Sequence, residues 1–224
     1  MHIGIFGGTF NPIHSCHLLI AGQVQNEMKL NQILFIPTGD PPHKKSSSLA
    51  PASHRLAMVK IALEGYPTFT ASDVETRLSH ISYSINTVVG LKQTHGSDTE
   101  WSFMVGLDAF LDFPTWKQAA NLLTLCHFIV CSRPGTHFGS LASTAGLPAI
   151  PLYDLEALDK GQSHRLDIEL PKGKYLTLLS LPPCQASAST IRHEISQGRS
   201  VSHWLPARVE SYIMKHRLYQ CLLP

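Results

Sequence analysis

Charged residues are scarce in this chain. Asp, Glu, Lys and Arg make up 15% of its 224 residues, against 43% hydrophobic. That balance excludes an intrinsically disordered chain, which has few apolar residues and much net charge. The net charge is +2 and the basic residues form no tract. Nothing in that distribution suggests an extended nucleic-acid surface, while a phosphate-sized basic pocket is left open. No apolar run is long enough to cross a bilayer. The first expected strand begins at residue 2, so no signal peptide is expected. The five cysteines, Cys16, Cys126, Cys131, Cys184 and Cys221, have no paired spacing and include no C-x-x-C; they are expected to be reduced thiols in a cytoplasmic protein. There is no internal repeat, and the G-x-G-x-x-G dinucleotide fingerprint is absent.

What is present is an alternation. Apolar runs at 2–6, 32–37, 101–105 and 127–131 read as buried strands. A strand over 69–74 and a last one over 175–181 are also expected. Between them, helical spacing predicts helices over 53–64, with Gly65 as its stop, over 85–96, and over 108–125 with a break at Pro114. Two further helices are expected over 189–197 and 203–216. The segment 135–161 is rich in small residues and prolines, and pattern specifies little there. Strand–helix alternation with short connections implies a parallel, doubly wound α/β sheet. Length and the lack of a linker imply one domain over 1–224, with a core over 1–135 and C-terminal helices within 175–224.

The chain is organised around Gly7-Gly8-Thr9-Phe10-Asn11-Pro12-Ile13-His14-Ser15-Cys16-His17. It joins the first strand to a helix carrying Ile20, Val24 and Met28 on one stripe, with Ala21 beside them. In an open parallel sheet ligands bind at the carboxyl ends of strands. The glycines allow close backbone approach, and a helix start favours an anion. His14 and His17 share a face of the opening turn, so two imidazoles can act on one phosphate. Taken alone, the pair also suits a metal site or two surface histidines, in a chain with 13 His.

The stretch resembles the G-x-F-x-P-x-H-x-x-H signature of nucleotidyltransferases related to class I aminoacyl-tRNA synthetases, matched by Gly8, Phe10, Pro12, His14 and His17. That family usually has Gly before the last His; here it is Cys16, whose side chain could crowd a nucleotide. Late in the chain, Ala186-Ser187-Ala188-Ser189-Thr190-Ile191-Arg192 resembles the I-S-x-T-x-x-R motif of the same superfamily, with Ala186 for Ile and Ser189 for Thr. A serine-rich helix start offers hydroxyls and N–H groups, and Arg192 adds a planar fork for phosphate oxygens. Taken alone, the stretch reads more readily as an N-cap followed by a surface arginine; the N-terminal signature reverses that order.

Between these motifs, Pro41-Pro42-His43-Lys44, Ser82-Tyr83-Ser84-Ile85-Asn86-Thr87, Gly106-Leu107-Asp108-Ala109, Pro114-Thr115-Trp116 and Arg133-Pro134-Gly135 occur in one order. With the tail residues Trp204-Leu205-Pro206, Val209, Tyr212-Ile213 and Leu218-Tyr219, the series is similar to bacterial-type nicotinate mononucleotide adenylyltransferases. The resemblance implies a Rossmann-like fold, with ATP and nicotinate mononucleotide as substrates and Mg²⁺ accompanying ATP. It implies no nucleic-acid or membrane partner and no metal held by the protein, and it leaves a homo-oligomer open. It implies that His14, His17 and Arg192 are catalytic. Gly7, Gly8, Thr9, Phe10, Lys44, Ser187, Ser189 and Arg133 would bind ATP phosphates. Tyr83 and Ser84 would present N–H groups to the nicotinate carboxylate, Trp116 would cover the ring, and Asp108 would contact ribose hydroxyls. Each has a plainer reading: Trp116 as core, Asp108 as an N-cap, Lys44 as solvated loop charge. Asn11 and Asn86 stand where the family more often has Asp, and neither is assigned a role. The implied nucleophile is a phosphomonoester, ionised through a second pKa of about 6, so no general base is required. Rival readings are a sibling acting on phosphopantetheine or a cytidylyl substrate, a nicotinamide mononucleotide preference, a nucleotide sensor with faded catalysis, and a zinc protein built on the many histidines.

Overall fold

Apolar runs that lack alternation are buried on both faces, and here they become the inner strands. A computed structural model describes residues 1–39, 49–78, 81–96 and 98–220. The elements are β1 (His2–Gly8), α1 (Ser15–Met28), β2 (Gln32–Pro37), α2 (Ala52–Ala62), β3 (Phe69–Ala71), α3 (Ser84–Thr94), β4 (Glu100–Gly106), α4 (Leu107–Phe110), α5 (Ala119–Leu125), β5 (His127–Cys131), α6 (Leu152–Asp159), β6 (Arg165–Leu170), β7 (Lys174–Leu179), α7 (Ala188–Ser196) and α8 (Ala207–Lys215). The sheet has seven strands in the order β3-β2-β1-β4-β5-β7-β6. The order reverses at β1, the strand whose carboxyl end carries the glycine turn; such reversals are where open α/β sheets bind ligands.

The chain divides into two compact units, Met1–Phe6 with Tyr83–Cys184, and Gly7–Ser82 with Gln185–Pro224. In the first, β1, β4, β5 and β7 run parallel, with Ile5 opposite Phe103, Phe103 opposite Phe128, and Phe128 opposite Leu176. An aromatic cluster of Phe103, Phe110, Phe113 and Phe128 fills its core. In the second, β2 and β3 pair in parallel, with Ile33 opposite Phe69, and Phe35, Met58, Val59, Ile191, Val209 and Ile213 are fully buried.

The elements fall close to their expected places, with four differences. The stripe that α1 buries is His17, Leu18, Ala21 and Val24, while Ile20 and Met28 are only half-buried. β3 stops at Ala71. The stretch 108–125 splits into α4, a 3-10 turn over Phe113–Thr115 and α5, as Pro114 requires. The fourth difference corrects the all-parallel expectation: β6 lies antiparallel to β7, with Leu166 opposite Leu178. The weakly patterned segment before it folds as a 3-10 helix, Phe138–Ser143, whose Phe138 and Gly139 N–H groups donate to the Asp159 carboxylate at 2.8 and 3.0 Å.

Candidate functional site

The glycine turn is shaped by one aromatic ring. Phe10 is buried and takes the left-handed conformation, φ 46°, which a bulky residue adopts only when its surroundings hold it there. Its ring lies against Gly8, where an added Cβ would come 3.2 Å from Phe10 Cζ. Gly8 is thus needed for close approach rather than for an unusual φ. The same ring meets His17 edge-on, with centroids 5.1 Å apart.

His14 is the N-cap of α1 and His17 lies in its first turn. Both are buried, and their rings are 3.8 Å apart. The His14 backbone N–H donates to His17 Nδ1 at 3.2 Å. An accepting Nδ1 carries a lone pair, so the ring proton of His17 sits on Nε2, leaving Nε2–H as the ring's donor. The backbone of this helix start is more occupied than expected: the Ser15 N–H donates to the Trp204 carbonyl and the His17 N–H to the His14 carbonyl, both at 2.9 Å. Two of the N–H groups at this helix start are thus already satisfied by carbonyls.

The late motif belongs to the same unit. Ser187 caps α7, its Oγ accepting from the Thr190 N–H at 3.1 Å and lying 3.1 Å from Ser189 Oγ and 2.7 Å from Thr190 Oγ1. Arg192, half-buried one turn on, donates from Nη1 to the Asn11 carbonyl at 2.8 Å. Two motifs 181 residues apart are so brought together. Lys44 lies outside the described residues.

Sequence reasoning missed Arg55 here. It is fully buried on α2 and donates to the Ala50, Thr9 and Gly39 carbonyls at 2.9, 2.8 and 3.3 Å, and to Thr38 Oγ1 at 3.4 Å. The available signal was a lone cation on the stripe Ala52, Arg55, Val59 and Ala62, which a helix buries together.

The remaining nominated residues belong to the first unit. Tyr83 is the N-cap of α3 and Ser84 its first residue; the first N–H groups of a helix have no partner within it. Lys117, also missed, places Nζ 4.3 Å over the Tyr83 ring. Its signal was a cation directly after Pro-Thr-Trp. Trp116 is half-buried, its ring packed on Phe103 and Phe113 with centroids 5.8 and 5.4 Å away. An apolar hollow of about 380 Å³ opens beside it, lined by Phe113, Pro114, Gln118, Ala119 and Gly146 among others, and by none of Tyr83, Ser84, Asp108 or Arg133. Arg133, nominated for phosphate, pairs with Asp108, Nε to Oδ1 3.6 Å. A Cβ on Gly106 would overlap that carboxylate and come 2.7 Å from Arg133 Nε.

The expectation of reduced thiols is corrected at two positions. Cys16 and Cys184 are each disulfide-bonded, which spacing in sequence does not show. The compartment expected from reduced thiols loses that support. Cys126 and Cys131 are free, and burial pushes each thiol up to about 12. Cys221 lies outside the described residues. No helix among the described residues is long and apolar enough to cross a membrane.

Comparison with known proteins gives a consistent result. A family model described as cytidylyltransferase-like matches residues 5–194. A Synechococcus sp. (strain JA-3-3Ab) protein described as a "probable nicotinate-nucleotide adenylyltransferase" is 37% identical over 217 residues, covering 97% of this chain and 94% of its own. One from Geotalea daltonii with the same description is 36% identical over 219 residues, covering 98% of each chain. Among solved structures, Plasmodium falciparum nicotinic acid mononucleotide adenylyltransferase complexed with NaAD superposes with a TM-score of 0.71 at 20% identity, covering 97% of both chains. That structural likeness shows the fold.

Proposed function

This chain belongs to the cytidylyltransferase-like family, among its nicotinate-nucleotide adenylyltransferases, and we propose that it transfers AMP from ATP to nicotinate mononucleotide, giving deamido-NAD and pyrophosphate. The observation that supports this best is the paired imidazoles of His14 and His17, 3.8 Å apart, on a turn that also receives Arg192 from the late motif.

A 5′-phosphate oxygen of the acceptor forms a bond to the α-phosphorus of ATP as the bond to the β-phosphate oxygen breaks, and pyrophosphate leaves with that electron pair. The nucleophile is already an anion, so the protein's task is to hold the phosphates and stabilise charge on the α-phosphate. We assign His17 Nε2–H and His14 to the α-phosphate oxygens. Gly7, Gly8, Thr9 and Phe10 shape the turn around ATP. Ser187, Ser189 and Arg192 are assigned to the β- and γ-phosphates, with Lys44 as a further phosphate ligand. On the acceptor side, the Tyr83–Ser84 helix start takes the nicotinate carboxylate, Trp116 the ring and Asp108 the ribose. Arg133, paired with Asp108, fits the acceptor side better than the ATP phosphates.

The donors grouped in the phosphate unit are N–H groups, hydroxyls and a guanidinium, which suit phosphate oxygens and not a cation. Among the described residues no group of three or more His, Cys, Asp and Glu side chains could hold an ion. Mg²⁺ would enter with ATP and would supply charge neutralisation on the phosphates, beside the donors assigned here to His14, His17, Ser187, Ser189 and Arg192.

The test is pyrophosphate release with ATP, Mg²⁺ and one acceptor at a time: nicotinate mononucleotide, nicotinamide mononucleotide, phosphopantetheine or a cytidylyl acceptor. A carboxylate accepts from two N–H donors, whereas an amide turns one NH₂ toward them. A buried donor left unpaired costs roughly 1–3 kcal/mol, and sites built on such bonds can discriminate by about 10⁴ or more. Nicotinate mononucleotide should be strongly preferred in kcat/KM. Equal use of the amide would overturn the Tyr83–Ser84 assignment, and no release with any acceptor would overturn the activity.

A further inference from the structure

Asn11, which the family resemblance left without a role, is where three donors converge. Its side-chain Oδ1 accepts from the Ala50 N–H at 3.0 Å and from the Tyr219 hydroxyl at 2.8 Å, and its carbonyl accepts from Arg192 at 2.8 Å. Asn11 is buried and stands between Phe10, held at φ 46°, and Pro12, two residues before the buried His14. The carbonyl of Thr9, on the other side of Phe10, is held by Arg55. The turn is therefore fixed from outside at consecutive points, and one of them is a phenol 208 residues away, beyond the end of α8.

We infer that Tyr219 is a positioning residue for adenylyl transfer, acting through Asn11 on the turn that presents His14 and His17. Tyr219 touches no substrate in this scheme. Its hydroxyl orients the Asn11 side chain, while Arg192 holds the backbone of the same residue, so a shift at the tail reaches the imidazoles through two covalently adjacent residues, Pro12 and Ile13. Burial keeps the phenol protonated, against the pull of the nearby Arg192 and Arg55 charges, and so keeps it a donor. Near-attack geometry is steep in distance, which is why loss of one remote bond can register in turnover.

The inference rests on the adenylyl-transfer reading, and the experiment separates the two. Tyr219→Phe deletes one hydroxyl and leaves the ring. Its kcat should fall by about tenfold, the effect of one ordinary hydrogen bond felt in the transition state, with the KM values for ATP and acceptor little changed. A bond that merely stabilised the fold would lower the melting temperature and leave kcat, measured well below that temperature, at the wild-type value. Asn11→Ala removes the shared acceptor, so adding Tyr219→Phe to it should cost little more, whereas independent sites would add. Asn11→Asp keeps an oxygen acceptor for both donors and should retain most of the turnover that Asn11→Ala loses. Wild-type kcat in Tyr219→Phe, or full additivity with Asn11→Ala, would overturn the inference while leaving the activity standing. A wild-type enzyme inactive with nicotinate mononucleotide would overturn both.

Discussion

Replacing His17 by asparagine separates the two jobs of its ring. Nδ1 accepts the His14 N–H at 3.2 Å, which leaves Nε2–H as the ring's donor. An asparagine Oδ1 stands close to where Nδ1 was and preserves that backbone bond, but nothing replaces Nε2–H. A glutamine does the reverse, bringing an amide N–H toward the Nε2 position and losing the Nδ1 acceptor. If His17 stabilises charge that develops on the α-phosphate, His17→Asn loses a preorganised transition-state donor, worth about 2.7–4 kcal/mol or ~10²–10³ in kcat. The backbone bond is worth much less, about 1 kcal/mol, and would show in stability. His17→Asn should therefore melt close to wild type yet turn over ~10²–10³ more slowly, the expected cost of the lost donor. His17→Gln should melt lower yet recover part of the rate. Pyrophosphate release at saturating ATP and nicotinate mononucleotide reads kcat, and a single-turnover measurement removes product release from the comparison. Near-wild-type turnover in His17→Asn would refute the reasoning, because the donor assigned to the reaction would then be dispensable.

Gly8→Ala places a Cβ 3.2 Å from Phe10 Cζ and forces a ring that also abuts His17; kcat should drop by about an order of magnitude as a catalytic group is displaced, and an unchanged kcat would show that the ring yields without moving His17. Arg55→Met strands the carbonyls of Thr9 and Ala50, so urea unfolding should report a loss of about 3 kcal/mol or more for the charge-assisted bonds. Stability should also depend on pH through His2 and His127, whose burial lowers both pKa values below 6.5, outweighing the opposing Glu100 and reinforced by Lys174. The unfolded chain then binds protons first, so their contribution is complete above 6.5 and is lost as pH falls from there through the lower folded values. His2 Nε2 lies 2.7 Å from Ser102 Oγ, and His127 Nδ1 accepts the Tyr175 N–H at 3.1 Å. Glutamine at both positions should flatten the urea midpoint across that range, and an unaltered slope would place the effect elsewhere.

The inner strands were legible because burial on both faces writes itself as unbroken apolar residues. Ile33, Phe35 and Ile36 are fully buried, and β2 runs over its expected span. β6 was legible in principle and overlooked. Arg165-Leu166-Asp167-Ile168-Glu169-Leu170 alternates with period two, the mark of a half-buried strand. Its place at the sheet edge, with charges outward, removes the apolar run that identified the other strands.

The candidate site divides in the same way. His14, His17, Ser187 and Arg192 were legible because they sit at fixed spacing on helix starts, where local geometry decides which side chains converge. Arg55, Asn11 and Tyr219 were not, because each acts on a backbone or amide group of a residue far away in sequence, and a carbonyl acceptor has no residue type of its own. Any residue can supply the backbone carbonyl that the Arg55 guanidinium takes, and no spacing links the Tyr219 phenol to the Asn11 amide 208 residues away. What sequence reports well is the group offered to a ligand. What it conceals is the scaffold holding that group still, and under the proposed mechanism an imidazole displaced by a fraction of an ångström would keep the same motif while contributing far less to the transition state.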